Sequence, residues 1–92
     1  VRNFTETRAA KIYRLHTGFK KINPMPIYFF ERGDFYEMYY GDAIFLGQHV
    51  DLQVKYYENI PICRIPIAGS QDIIKRILKD QYEIGICERA ID

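Results

Sequence analysis

Pro24 and Pro26 lead directly into Ile27-Tyr28-Phe29-Phe30, four consecutive apolar residues with no polar position among them. Proline disfavours helix at the residue before it and donates no backbone hydrogen bond, so the chain enters this run extended. A strand shows its side chains alternately to two faces, and one that is apolar at every position has to be covered on both. The run therefore demands a sheet with other elements packed above and below it. With 92 residues, 48% of them hydrophobic and 27% charged, the chain can bury roughly 60 to 65% of its unfolded surface, enough for one modest core and not two. A single domain over residues 1–92 is expected.

The remaining sequence supplies the covering elements. Between Thr5 and about Lys20, Ala9, Ile12, Tyr13, Leu15 and His16 recur with helical spacing among Arg8, Lys11 and Arg14. Such a pattern predicts an amphipathic helix, broken by Gly18 and the prolines. Ala43, Leu46, Gly47 and Val50 follow i, i+3, i+4, i+7 spacing and predict a second helix from about Asp42 to Val50. "DLQVKYY" and "NIPICRIPI" read as strands, the latter with prolines at its edges. Ser70 is placed to cap a third helix through Lys79, whose Ile73, Ile74, Ile77 and Leu78 form an apolar stripe opposite Lys75, Arg76 and Lys79. "EIGICE" is a short final strand. The expected class is α/β, a small mixed sheet flanked by about three helices, in the order helix, strand, helix, strand, strand, helix, strand.

The stretch "ERGDFYEMYYGDA", residues 31 to 43, admits two readings. In one, Asp34 caps a helix and Glu37 reaches back from its third position as a capping box. In the other, the chain stays extended through Tyr39, which sets Phe35, Glu37 and Tyr39 on one side and Asp34, Tyr36 and Met38 on the other. The segment is rich in aromatics that prefer strands, and Gly41 with Asp42 makes a better helix start, so the extended reading is favoured.

Several chemistries lack their residues. No G-x-x-x-x-G-K-[ST] loop is present to cradle a nucleotide triphosphate. Asp42, Asp51 and Glu58 near Lys55 could serve a metal-dependent nuclease, but no spacing compels it, and turn acids in solvent are the simpler reading. Cys63 and Cys87, with only His16 and His49 besides, give no zinc pattern, and they can form a disulfide only if their strands are neighbours. Arg32-Gly33-Asp34 matches a cell-adhesion tripeptide, yet it follows a buried strand rather than an exposed loop. No apolar run approaches a membrane span and no secretory h-region precedes the first helix, so an intracellular location is expected.

Net charge is only +1, but it is unevenly placed: residues 1 to 26 carry six basic side chains against the single acid Glu6. The N-terminal quarter is a basic element on a mildly acidic body, either a solvated helix face or a phosphate-facing one. Phe35 with Glu37 sharpens the second possibility. A surface aromatic can stack on a base or wedge between base steps where unstacking is cheap, as at a mispaired base. A carboxylate beside it is repelled by DNA, and that cost becomes selectivity if a base-edge hydrogen bond recovers it only at the right site. Without such a use, Phe35 is core and Glu37 a capping or solvated acid.

"YFFERGDFYEMYYGDA" resembles the N-terminal mismatch-recognition domain of the MutS family of DNA mismatch repair proteins, whose pattern is an apolar strand followed by G-D-F-Y-E. "IPICRIPIAG" is similar to that family's I-P-M-C-G-I-P segment and "IGICERAID" to its V-A-I-C-E-Q end, in the same order, over about residues 5 to 92. The resemblance implies that Phe35 stacks on the mispaired base in kinked duplex DNA and that Glu37 hydrogen-bonds that base. It implies a non-catalytic domain of a larger protein, with no cofactor of its own. The parent would bind ATP and Mg elsewhere, act as a homodimer and recruit a MutL-type repair partner, in the bacterial cytoplasm at the nucleoid or in an organelle. The sequence departs from the pattern at several points: Glu31-Arg32 replaces Arg-Met, Arg64 stands where the family has Gly, Ala68 replaces a frequent His, and Gln81 replaces a frequent Gly.

The reading is thus a domain that binds mismatched or unpaired bases in double-stranded DNA through Phe35 and Glu37. Arg8, Lys11, Lys55 and Arg64 are nominated as phosphate contacts by charge. Its rivals are a metal-dependent α/β nuclease and a protein-interaction module without affinity for DNA.

Overall fold

The computed structural model describes residues 5–88. Arg2 of the basic quarter and the last four positions of "IGICERAID" lie outside them. The elements are α1 (Arg8–Ile22), β1 (Ile27–Arg32), β2 (Phe35–Tyr39), α2 (Tyr40–His49), β3 (Lys55–Tyr57), β4 (Ile60–Pro66), a 3₁₀ turn (Ile67–Gly69), α3 (Gln71–Lys79) and β5 (Ile84–Cys87). The strands form one mixed sheet in the order β3-β4-β2-β1-β5, antiparallel except for the β1–β5 pair. The α/β class and three helices agree with the sequence reading.

β1 is buried on both faces, as its composition requires. Tyr28 and Phe30 join Ile12, Tyr39, Ile60, Ile62 and Cys87 in a core under α1. Ile27 and Phe29 join Met38, Ala43, Leu46, Cys63, Ile65 and Ile77 in a second core under α2 and α3. Gly85 of β5 leaves room for the first of these: a Cβ there would meet the Tyr28 ring at 2.7 Å.

The strand count is corrected from four to five. Glu31 and Arg32 extend β1, and Arg32 pairs with Phe35 across a two-residue turn, so 35–39 is a strand of its own. Gly33 makes the reversal possible. It has φ +59° while Asp34 has none of the positive φ values, the pattern of a type II′ hairpin turn, in which glycine takes the first central position without a Cβ clash. The same hairpin rules out the capping box, because Glu37 sits mid-strand opposite Phe30 and Arg64.

Smaller corrections have local causes. α1 begins after Thr7, whose hydroxyl accepts from the Ala10 amide at 3.1 Å, and runs on to Ile22. α2 begins at Tyr40, not Asp42. Asp42 is buried and used for tertiary bonding: one oxygen accepts from the Tyr28 amide at 3.0 Å and the other from Lys20 Nζ at 2.7 Å. Lys20 Nζ also donates to the Pro26 carbonyl at 2.7 Å, tying α1, the proline entry and α2 together. Of "DLQVKYY" only Lys55–Tyr57 is strand. Ser70 precedes α3 but makes no cap, since its hydroxyl donates to the Ile67 carbonyl at 2.8 Å within the 3₁₀ turn.

His16 is enclosed by the rings of Phe30, Tyr39 and Tyr40. Burial lowers its pKa, with Asp42 opposing and Lys20 reinforcing the shift. Cys63 and Cys87 are both free and buried, on strands separated by β2 and β1 and in different cores, so no disulfide joins them. Burial pushes the Cys63 thiol up to about 11, and its Sγ donates to the Ala43 carbonyl.

Gln81 follows α3 with φ +69°, two residues past Lys79 at the left-handed position that favours glycine. A side chain there costs roughly 1 to 2 kcal/mol. Gln81→Gly should therefore raise stability by about 1 kcal/mol, read as a higher midpoint in denaturant unfolding with unchanged slope.

Candidate nucleic-acid interface

Alternation along β2 sends Phe35, Glu37 and Tyr39 to the α1 face and Tyr36 and Met38 to the other. The neighbouring strands keep the same rhythm. Arg64, directly opposite Glu37 on β4, and Arg32, opposite Phe35 on β1, reach toward the same carboxylate. Along β1 one position decides the face: Arg32 shares the Glu37 face, and its neighbour Glu31 takes the other.

Glu37 is only 1% exposed and would be costly to bury alone. Arg8 at the start of α1 donates Nη2 to Oε1 at 3.0 Å and to Oε2 at 3.2 Å. The Tyr39 hydroxyl donates to Oε1 at 2.9 Å. Arg32 and Arg64 stand farther off, each 3.5 Å from Oε2. The two oxygens thus differ: Oε1 has two short bonds, and Oε2 has one plus two long contacts. Burial, then the charge and hydrogen bond of Glu37, hold the Tyr39 pKa far above the usual phenol range, so Tyr39 remains a donor.

Beside this cluster lies an open cavity of about 300 Å³ lined by Arg8, Phe35, Glu37, Gln53, Lys55, Tyr56, Tyr57, Ile62 and Arg64. Five of the six site residues expected from sequence meet on it. Lys11 is not among its lining residues. Phe35 is half-buried, not bare, with the Arg64 guanidinium 4.0 Å from its ring centroid. Arg8, besides holding Glu37, lies 4.5 Å over the Tyr57 ring. Tyr56 is 67% exposed at the rim. Sequence reasoning missed Tyr39, which reads as core in "EMYY", Tyr56 and Tyr57, which strand pairing with β4 brings to the site, and Gln53 in the segment leading into β3.

The carboxylates suggested for a nuclease are not assembled. Asp42 is occupied by Lys20 and the Tyr28 amide, Asp51 has positive φ in the segment after α2, and Glu58 has positive φ in the β3–β4 turn. Among the described residues, no three His, Cys, Asp or Glu come together as a metal-binding group. No helix of the described residues is long and apolar enough to cross a membrane.

An aromatic and a carboxylate thus share one strand face, beside a cavity rimmed by arginine and lysine. The family is settled by comparison. Residues 11–92 match the family model for MutS domain I, and the chain belongs to the MutS family. It is 31% identical over 85 residues, or 92% of its length, to the DNA mismatch repair protein MutS of Borreliella burgdorferi strain ZS7. It is 32% identical over 78 residues, 79% of its length, to that of Desulforamulus reducens, and 34% over 61 residues, 66% of its length, to that of Ehrlichia chaffeensis. The chain spans about a tenth of the length of these relatives, 10%, 9% and 8% respectively.

The Tyr39 hydroxyl can be removed with little change of shape. Tyr39→Phe deletes a buried bond to a charged acceptor, and such bonds contribute roughly 1.5 to 3 kcal/mol. Denaturant unfolding should show a loss of that order, or less because Arg8 remains on Oε1; an unchanged midpoint would mean that the phenol does not support the carboxylate.

Proposed function

We propose that this domain recognises mispaired or unpaired bases in duplex DNA, with Phe35 stacking on the base and Glu37 accepting a hydrogen bond from its edge. The observation that carries the reading is the placement of both side chains on one face of β2, at the edge of a cavity with a cationic rim. Membership of the MutS family supports it, since the relatives are named as DNA mismatch repair proteins. Arg8, Lys11, Lys55 and Arg64 would supply the general attraction to phosphates, Arg8 also holding Glu37 in place. This attraction is independent of sequence and weakens with salt, so it brings the domain to DNA without selecting a site.

Selection falls to the pair. Stacking on Phe35 requires a base that leaves its neighbours cheaply, which a mismatch offers and a matched pair does not. The fixed carboxylate then opposes DNA unless a base-edge donor faces it. In the parent protein this domain would act without catalysis of its own, the ATP and Mg chemistry belonging to other domains. A homodimer that recruits a MutL-type partner completes the proposal, at the nucleoid of a bacterial cell or in an organelle.

The test is titration of the full-length protein with matched and mismatched duplexes at one salt concentration. Base stacking on an aromatic is worth about 1 to 3 kcal/mol, so Phe35→Ala should weaken mismatch binding by roughly tenfold or more and matched binding little. Mismatch affinity unchanged by the substitution would remove the wedge. No affinity for either duplex at low salt would favour the protein-interaction module.

A further inference from the structure

Phe35 is covered in the free domain. The Arg64 guanidinium lies 4.0 Å from the ring centroid, at the height where a stacked base would sit. Its Nε is also 3.5 Å from Glu37 Oε2. One side chain therefore masks the stacking surface and touches the carboxylate beside it. Strand pairing explains how: Arg64 is directly opposite Glu37 on β4, and Phe35, two residues before Glu37, is its diagonal neighbour. The Arg64 side chain is 50% exposed, so its head can move into solvent without disturbing the core.

We propose that Arg64 is a specificity-determining shutter, closed over Phe35 and Glu37 Oε2 in the free protein and displaced when a mispaired base takes its place. The inference rests on the base-reading role given above to Phe35 and Glu37. Opening leaves the carboxylate anchored, because Arg8 and Tyr39 hold Oε1 at 3.0 and 2.9 Å. It takes one of the two long contacts off Oε2, leaving Arg8 at 3.2 Å and Arg32 at 3.5 Å, and that oxygen becomes the acceptor for the base edge. Matched duplex offers no unstacked base and leaves the shutter closed. The cost of opening therefore falls on the mismatched complex alone and lowers the ratio of mismatched to matched affinity.

The experiment measures that ratio for the full-length protein at one salt concentration in wild type, Arg64→Thr, Arg64→Lys, Phe35→Ala and the Phe35→Ala/Arg64→Thr double variant. Thr is a good strand residue and preserves β4, and circular dichroism checks that each variant is folded. Any general attraction of the guanidinium to phosphate is common to both duplexes and cancels in the ratio. Removing an exposed cation–π contact and a half-exposed ion pair should raise the ratio about two- to fivefold in Arg64→Thr. Arg64→Lys should fall between, since an ammonium keeps the charge but not the planar stack. The gain should vanish in the Phe35→Ala background, where nothing remains to be uncovered. A ratio unchanged or lowered by Arg64→Thr, in a protein whose mismatch preference still depends on Phe35, overturns the shutter and leaves the base-reading role standing. A wild type without a mismatch preference, or one that Phe35→Ala leaves intact, overturns both.

Discussion

A carboxylate almost sealed from water is the interaction on which this domain depends. Glu37 stands at the middle of β2, where an unpaired charge would cost several kcal/mol. Short bonds from Arg8 and Tyr39 and the nearby charges of Arg32 and Arg64 offset that cost. Those partners come from four elements: α1, β1, β2 and β4. The requirement for compensation thus fixes how the N-terminus of α1 meets the sheet, and it leaves the carboxylate at the wall of the cavity instead of within the core.

The two covered faces of the sheet serve this arrangement. α2 and α3 close the far face with aliphatic packing around Phe29 and Met38. On the near face α1 covers Phe30 and Tyr39 but begins at Arg8, so its first turn meets Glu37 at the wall of the cavity. Lys20 and Asp42 anchor the other end of α1 to β1 and α2. A basic helix that approached DNA by charge alone would need no such fixing; one that also holds Glu37 does.

Much of this was legible in the sequence, for definite reasons. The doubly buried Ile27–Phe30 run required a sheet covered on both faces, and period-2 alternation put Phe35 and Glu37 on the same side once the stretch was read as extended. The break at Gly33 was harder to read, because Gly-Asp before an aromatic run suits a helix start as well as a hairpin; pairing between Arg32 and Phe35 decides it. Ser70 and Asp42 have cap-forming side chains, yet a local carbonyl in the 3₁₀ turn claimed the first and tertiary partners the second. The cage around Glu37 was not legible at all: Arg8 lies 29 residues away in sequence, and Tyr39 looked like any core aromatic. Charge nominated Arg8 and Arg64 without revealing that one grips the carboxylate and the other lies over the phenylalanine.

The direct measurement is the affinity of full-length Glu37→Ala protein for matched and mismatched duplexes at a single salt concentration. Both duplexes sample the same folded fraction, so any loss of stability from the emptied cage cancels in their ratio. On the proposed base-reading role, removing the Glu37 charge from the cavity wall should leave matched binding per folded molecule equal or tighter, while loss of the base-edge bond narrows the advantage of the mismatch. If Glu37→Ala weakens both by the same factor, the carboxylate holds the fold together but does not discriminate between bases.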